Sequence, residues 1–275
     1  MKKIAAAIII LMAGSHCFAQ TNQEEPAESI FRGTRLVNEH SVNLPDKGEL
    51  LFLIQHRFGE IGGGFYELFG LDKATMRLGF EYGFGNNLSA GFGRSSWLKT
   101  YDLFIKSRFA QQHQDFPFTL GAVAKASIPT LRNYFPQPEN SLSSKSAAVL
   151  QLMAAKTIGK FGFQISPGIL STGYLHSQNG SILLLTTGVA GSVKLSELIT
   201  ASVEYLPSFH SSFSSTNPLS IGVDINTRGH LFQLILSNSQ QMFTQALYTA
   251  TQGSWSEGRL FFGFNLIREF RIKYY

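Results

Sequence analysis

Apolar and polar residues alternate along most of the chain from Glu49 onward, in segments that are separated by clusters of Gly, Asn, Pro and Ser. In the clearest segment, 74–83, large apolar residues alternate with small or charged ones: Met76, Leu78, Phe80 and Tyr82 against Arg77, Gly79 and Glu81. A period of two is typical of a β-strand with two different faces, whereas a helix repeats near 3.6 residues. The pattern predicts an all-β fold.

This alternation predicts twelve strands. They lie at 49–58, 74–83, 87–96, 100–109, 117–129, 144–156, 160–171, 181–194, 198–207, 218–227, 229–238 and 258–272. Most are close to the ~9–11 residues that a tilted strand needs to cross a bilayer, and bacterial single-chain barrels have an even number of strands. Four strands are apolar on both faces, so their orientation stays open: 49–58, 144–156, 181–194 and 229–238.

The lengths of the connections between the predicted strands give a second indication of a membrane barrel. Those after strands 1, 5, 7, 9 and 11 run roughly 9 to 19 residues, and those after strands 2, 6, 8 and 10 roughly two to four. Long outer loops alternate with short inner turns in a membrane barrel whose termini are both periplasmic. Connections 97–99 and 110–116 depart from this rule. We therefore predict a single antiparallel transmembrane β-barrel of about twelve strands, with both termini periplasmic.

The chain begins like a secretory signal peptide. Lys2 and Lys3 precede an apolar run from Ile4 to Met12, and small residues lead to Ala19, the expected cleavage site. Lipid attachment at Cys17 is an alternative that the bulky His16 before it disfavours. The predicted division is a signal peptide at 1–19, a periplasmic or lumen-lying arm at 20–47, and a transmembrane barrel at 48–275.

Composition narrows the function classes. Cleavage after Ala19 removes the single cysteine and two lysines, which leaves 21 basic residues (23 less 2) against 18 acidic ones, a charge of about +3. This modest charge gives no reason to expect nucleic acid as a partner, and the loss of the cysteine excludes disulfides and thiol chemistry. The expected partners are outer-membrane lipid and small solutes; the oligomeric state is left open.

A secreted soluble β-sandwich is the main alternative fold, since its strands alternate as well. The last strand disfavours it, because one face is almost entirely aromatic or aliphatic and the chain ends on Tyr275: Phe262, Phe264, Leu266, Phe270, Ile272 and Tyr274. Such a closing strand is the usual assembly signal of an outer-membrane barrel. Arg268 interrupts this face, and we place it at headgroup depth, where a long basic side chain can snorkel.

Charged residues on the predicted lumen faces of strands 2 and 4 form the most specific candidate site. Arg77 and Glu81 lie on strand 2, and Asp102, Lys106 and Arg108 lie on strand 4. Between them strand 3 turns only small residues inward: Ser89, Gly91, Gly93 and Ser95. The alternate strands are ~10 Å apart, a gap that two long side chains can bridge. We predict that Arg77 pairs with Asp102, and Glu81 with Lys106 or Arg108. The alternative is that lumen water solvates each charge separately.

Other candidate sites are weaker. Arg94, Trp97 and Lys99 lie at the predicted outer rim, where they either contact lipopolysaccharide phosphates or form an ordinary barrel rim. A hydrolase site of His230, Asn238 and Ser239 fails on distance, because eight residues of strand span ~26 Å. The histidines show no ligand spacing. We expect no catalytic residue, metal ligand or cofactor site, and therefore no enzyme.

Five stretches resemble a bacteroidete outer-membrane β-barrel family that is described only as a domain of unknown function. They are FRGTRLVNEHSV (31–42), LFGLDKATMRLGFEYG (68–83), GRSSWLKTYDLFIK (93–106), NPLSIGVDINTRGHLFQLILSNSQ (217–240) and FFGFNLIREF (261–270). The resemblance implies a barrel in the outer membrane and supplies no activity or site residue. We expect a passive channel or binding pore for small hydrophilic solutes. The alternatives are a non-conducting structural or adhesion barrel that uses its extracellular loops and, third, an outer-membrane hydrolase.

The exported protein should begin at Gln20 and carry no lipid, because Phe18-Ala19 ends the signal peptide and His16 spoils the lipidation site. The intact mass of the exported protein checks this expectation. A mass that includes a diacylglyceryl group on Cys17 would show that the chain is a lipoprotein.

Overall fold

The computed structural model describes residues 29–132, 145–173, 182–209, 215–227 and 229–272. Outside this part of the chain lie the predicted signal peptide with Cys17, the start of the predicted arm at 20–28, His176, His210 and the last residues from 273 onward. No helix in the described residues is long and apolar enough to cross a membrane.

Twelve antiparallel strands in the described residues form one closed sheet, in which each strand pairs with its neighbours in sequence. The strands are β1 (Glu49–Glu60), β2 (Ala74–Gly85), β3 (Leu88–Ser95), β4 (Tyr101–Ala110), β5 (Thr119–Ile128), β6 (Ala147–Ile158), β7 (Phe161–Ile165 and Gly168–Thr172), β8 (Ile182–Thr186 and Val189–Lys194), β9 (Ile199–Tyr205), β10 (Leu219–Thr227), β11 (His230–Ser237) and β12 (Phe261–Arg271). The prediction of a twelve-stranded antiparallel barrel is confirmed.

β7 and β8 are each broken into two pieces at the same level. Pro167 interrupts β7, because proline has no N–H to donate to the ladder. The gap is bridged by Ser166 and Gly188, whose N–H groups donate to each other's carbonyl at 2.7 and 3.1 Å. Both pieces of β7 pair with β6, so each broken strand occupies one position in the barrel.

The barrel closes where the first strand meets the last. β1 pairs with β12 from Glu49 opposite Arg271 to Arg57 opposite Gly263, and the register then shifts before Glu60. Closure leaves the sheet without a free edge, which a membrane requires because lipid offers no hydrogen bonds to unpaired backbone groups.

The two faces of the strands differ as the alternation predicts. On β2, Met76 and Leu78 are 42% and 40% exposed, whereas Arg77 and Glu81 are 1% and 0% exposed. Of the strands that are apolar on both faces, β1 turns Leu51 and Leu53 inward, where Leu231 of β11 and Ile267 of β12 pack against them. The interior therefore contains an apolar patch as well as polar groups.

The two ends of the barrel differ in their connections. The end near the termini, called here the turn end, has short links such as 86–87, 159–160 and 195–198. The opposite, loop end carries most of the longer connections, but the turn end has one of eight residues at 111–118 and the loop end a short one at 96–100. The loop-end connections include two 3-10 segments, Ile61–Gly70 and Trp97–Lys99, and the helix α1 (Thr244–Ala250), which lies between β11 and β12.

Leu78→Arg should destabilise the barrel by about 2–4 kcal/mol, because it places a charge on the lipid-facing surface in the middle of β2. Ala74→Arg is the matched control at the first residue of the same strand, where the cost near the interface should be about 0–1 kcal/mol. Urea unfolding of protein folded into lipid bilayers measures both values. Equal stability of the two variants would contradict the orientation of β2.

Candidate functional site in the barrel lumen

The N-terminal arm enters the barrel and occupies its lumen. Residues 30–43, called here the lumen segment, are almost all buried. The segment forms a tight hairpin, in which Leu36 N–H donates to the carbonyl of Glu39 at 2.8 Å and Ser41 N–H donates to that of Thr34 at 3.1 Å. The arm was predicted to lie either in the periplasm or in the lumen, and nothing in its sequence favours one of the two.

Side chains of the barrel wall donate hydrogen bonds to the carbonyl groups of the lumen segment. The donors come from strands all around the barrel. They are Gln233 Nε2 to Leu36 O at 2.6 Å, Asn265 Nδ2 to Val37 O at 3.1 Å, Gln164 Nε2 to His40 O at 2.8 Å, and Lys106 Nζ to Thr34 O at 3.3 Å and Asn43 O at 2.6 Å. The wall therefore satisfies four carbonyls that the small hairpin leaves unpaired and adds a second donor to that of Thr34, which already accepts from Ser41 N–H.

Wall oxygens accept the N–H groups of the same segment. Glu204 of β9 accepts from Asn38 N–H at 2.8 Å and from Glu39 N–H at 3.0 Å, one with each carboxylate oxygen. Gln164 Oε1 of β7 accepts from Val42 N–H at 3.0 Å. The lumen segment is thus held through its main chain from opposite sides of the barrel.

Side chains of the segment also meet charged groups of the wall. The Glu39 carboxylate pairs with Lys125 of β5 and accepts from Thr244 Oγ1 of α1 at 3.1 Å. Arg57 of β1 donates through Nη2 to Asn38 Oδ1 at 3.0 Å. Lys125 and Glu204 were not singled out as site residues from the sequence, because their partner is a segment without periodic structure.

Arg77 and Asp102, which the sequence placed together, form a bidentate ion pair. Arg77 Nε lies 2.8 Å from Asp102 Oδ2, and Nη2 lies 2.5 Å from Oδ1. Arg77 also donates to Gln55 Oε1 at 2.8 Å. The guanidinium lies directly on Gly93 of β3, since a Cβ at that position would be 2.3 Å from Nη2. The small residues of β3 therefore leave the space that this pair occupies.

Glu81 pairs with Lys106 and not with Arg108. Lys106 Nζ lies 3.0 Å from Glu81 Oε1, and both side chains are fully buried. Glu81 also accepts hydrogen bonds from Ser89 of β3 and Thr34 of the lumen segment, each at 2.8 Å. Arg108 instead donates to the carbonyl of Asn86 at the turn end, at 2.9 Å.

The helix α1 folds into the barrel from the loop end. Leu247 and Tyr248 pack against inward-facing residues of β6 to β8 and of the loop after β9: Ala147, Val149, Leu170, Leu184 and Leu206. Tyr248 Oη donates to the carbonyl of Thr187 at 2.7 Å. Between α1 and the lumen segment lies a cavity of about 20 Å³, room for about one water molecule. In the part of the chain that the structure describes, the lumen segment and α1 together occupy the lumen.

The three candidate rim residues have separate surroundings. The Arg94 guanidinium lies 5.5 Å from the ring centre of Tyr101, on the outer face of the barrel. The Trp97 ring packs 5.7 Å from that of Phe243, in the loop that leads into α1, and Lys99 is exposed. Trp97 therefore contributes to the packing of that loop, a contact that the sequence did not indicate.

The candidate hydrolase residues lie at opposite ends of β11. His230 is its first residue, at the turn end, and Asn238 follows its last. Asn238 Oδ1 accepts from Leu219 N–H at 2.7 Å, and the Ser239 and Thr251 hydroxyls are 2.7 Å apart, so both residues organise the loop end. Among the described residues, no group of three or more His, Cys, Asp or Glu side chains is arranged to hold a metal ion.

Residues 31–270 match the family described as membrane bound beta barrel domain (DUF5777), and the chain belongs to this family. The fold is similar to the NanC porin, at 8% identity and a TM-score of 0.52, with 79% of this chain and 98% of that chain covered. The COG4313 outer membrane channel from Pseudomonas putida F1 is 13% identical with a TM-score of 0.48, over 83% of this chain and 97% of that chain. At such identities the likeness shows the fold alone. No curated protein sequence matches the chain. Family and fold together indicate an outer-membrane β-barrel.

Lys106→Met should destabilise the protein by about 3–5 kcal/mol, because it leaves the buried Glu81 carboxylate without its cation. Adding Glu81→Gln to that variant should recover part of the loss, since no uncompensated charge then remains. Lys99→Met, on the exposed 3-10 turn, is the control and should change stability by less than about 0.5 kcal/mol. Urea unfolding measures all three, and equal losses for the single and double variants would contradict the pairing.

Proposed function

We propose that this membrane-bound β-barrel is an outer-membrane channel for small hydrophilic solutes, closed in the described conformation by its own lumen segment. The observation that carries the proposal is that the barrel ladder is complete without the segment. Every strand pairs with two other strands of the barrel, and wall side chains provide the contacts to residues 34–43 that are described above. Release of the segment would therefore leave the sheet intact.

The chemistry of the lumen wall supports this proposal. Charged side chains project inward on both arcs of the wall. On the arc from β1 to β5 four basic groups accompany two acidic ones, and on the opposite arc β9 and β10 carry acidic groups: Arg57, Arg77, Lys106 and Lys125 with Glu81 and Asp102, against Glu204 and Asp224. In a barrel that never opens, buried ion pairs often stabilise no better than apolar residues of similar volume. A wall that faces water once the segment leaves needs polar groups.

The dimensions of the barrel are compatible with passage of small solutes. Twelve strands ~4.8 Å apart and tilted ~40° close at a backbone diameter of ~24 Å. The hydrogen bonds that hold the segment would be exchanged for hydrogen bonds to water, and each such exchange has a net free energy of only about 0.5–1.5 kcal/mol. Reversible release is thus physically reasonable even though many contacts are made.

A non-conducting barrel that binds partners through its loops is the second candidate. Two observations favour it: the cavity of about 20 Å³ in the closed lumen, and exposed aromatic side chains in the 3-10 segment Ile61–Gly70. Phe65 and Tyr66 there are 81% and 95% exposed. Conductance separates the two candidates, because a structural barrel stays silent under every condition.

A disulfide between the lumen segment and the wall provides the test. A Cβ on Gly222 of β10 would lie 3.2 Å from Val37 Cγ2, so Val37→Cys with Gly222→Cys places two thiols within bonding reach. We expect voltage-dependent conductance steps in planar bilayers from the reduced variant and silence from the oxidised one. Restoration of the steps by a reductant would show that the segment is the gate.

The matched control is Ser192→Cys with Ser202→Cys, which joins two lumen-facing residues of β8 and β9 whose hydroxyls are 2.8 Å apart. It adds a disulfide to the wall without touching the segment, so its oxidised form should conduct. Silence of the wild-type chain and of both reduced variants would overturn the channel proposal. Undiminished current through the oxidised Val37→Cys/Gly222→Cys variant would overturn the gate.

A further inference from the structure

We infer that the solute taken by the open lumen is a short peptide that carries a carboxylate. This inference rests on the proposed channel function and names the substrate class of the same site. The geometry points to it because the lumen wall binds the main chain of the lumen segment, and a main chain is the part that every peptide shares.

Side chains of the barrel wall bind peptide groups along one continuous stretch of the lumen segment. Wall side chains donate to the carbonyls of five residues of the segment and accept from the N–H groups of three. The carbonyls are those of Thr34, Leu36, Val37, His40 and Asn43, and the N–H groups are those of Asn38, Glu39 and Val42. None of these contacts depends on which side chains the bound stretch carries.

Two wall residues bind the main chain at two points each. Gln164 donates to the carbonyl of His40 and accepts from the N–H of Val42, so its primary amide pairs with the backbone as a neighbouring chain would. Glu204 accepts two successive N–H groups with its two oxygens. The amide of Gln164 therefore matches the alternation of carbonyl and N–H groups along a peptide, whereas Glu204 binds two N–H groups in a row, and both side chains are buried inside the barrel.

One position of the site, where Glu39 is bound, also favours a negatively charged group. Lys125 and Thr244 together hold the Glu39 carboxylate. Hydrogen bonds to a charged group are stronger than those between neutral groups. When the lumen segment withdraws, a side-chain or terminal carboxylate of an entering peptide takes the place of Glu39. Because Thr244 belongs to α1, the bound solute also contacts the helix that closes the loop end.

Block of the open channel by added peptide tests the inference. The probe is the peptide GTRLVNEHSVN with an amidated C-terminus, so that its glutamate is its only carboxylate; it reproduces residues 33–43 and is added to reduced Val37→Cys/Gly222→Cys protein while that protein conducts in a planar bilayer. We expect concentration-dependent block, and about tenfold weaker block when the peptide's glutamate is replaced by glutamine, which corresponds to about 1.4 kcal/mol. A maltooligosaccharide of similar mass should not block.

Variants of the wall assign the effect to the site, each made in the same double-cysteine protein. Lys125→Met should remove the difference between the glutamate and glutamine peptides, and Gln164→Leu should weaken block by both. Ser192→Ala is the control, since Ser192 faces the lumen and bonds only to Ser202 among the contacts described here.

The outcomes separate the two proposals. Steady conductance without block by peptide, or equal block by the oligosaccharide, would overturn the peptide inference and leave the channel standing. Block that persists unchanged in Lys125→Met and Gln164→Leu would overturn it as well, because the peptide would then bind elsewhere. Silence of the reduced protein before any addition, together with silence of the wild-type chain and of the reduced Ser192→Cys/Ser202→Cys variant, would overturn both.

Discussion

The pairing between β1 and β12 is the interaction on which the rest of the molecule depends. Within a membrane each backbone N–H and C=O needs a partner in the protein, and a sheet of twelve strands meets this requirement only when its two edges join. Nine residue pairs, from Glu49 opposite Arg271 to Arg57 opposite Gly263, join before the register shifts. Once the sheet is closed, the inward-facing side chains are not needed to pair backbone groups of the sheet. They are free to bind something else.

In the described conformation, those side chains bind the chain's own N-terminal segment. Burial of so many charges has a high desolvation cost unless each finds a partner, and the segment provides several of the missing partners. Lys106 illustrates this: Glu81 neutralises it, while the carbonyls of Thr34 and Asn43 accept its remaining hydrogen bonds. Glu39 connects this arrangement to α1 through Thr244. One carboxylate of the lumen segment therefore contacts both the barrel wall and the helix that folds in from the loop end.

The barrel could be predicted because the evidence for each strand lies within a short stretch of consecutive residues. A period of two gave the strands, and a register set by short turns brought Gly93 opposite both Gly79 and Asp102, which leaves room for the Arg77 guanidinium. Where a strand is apolar on both faces, the same reasoning gave no orientation. The inward position of Leu51 and Leu53 follows from contacts with β11 and β12, about 180 and 215 residues away in sequence.

The position of the lumen segment inside the barrel could not be predicted from the sequence, because its contacts are also made between residues far apart in the chain. Residues 31–42 have no periodicity, and their partners are single side chains on strands that are far apart along the chain. One signal was present in principle: the inward faces carry amide side chains, among them Gln164, Gln233 and Asn265. A lumen filled with water gains little from amides over hydroxyls or charges. An amide offers a donor and an acceptor together, which is what a peptide backbone needs.

The lumen segment makes two kinds of contact, apolar packing and polar bonds, which differ in the free energy needed to break them. This difference determines which part of the segment would be released first. Phe31, Leu36 and Val42 pack in an apolar cluster with wall residues such as Phe104 and Met153. Asn38 and Glu39, at the tip of the hairpin, are held by hydrogen bonds and an ion pair. Water can replace the polar contacts at little net cost, whereas withdrawal of the apolar residues exposes surface at about 25 cal/mol per Å². Release at the tip is accordingly the less costly step. A hairpin that loosens there while its apolar residues stay packed would uncover Lys125 and Glu204 first, the two groups that distinguish a peptide from a neutral solute.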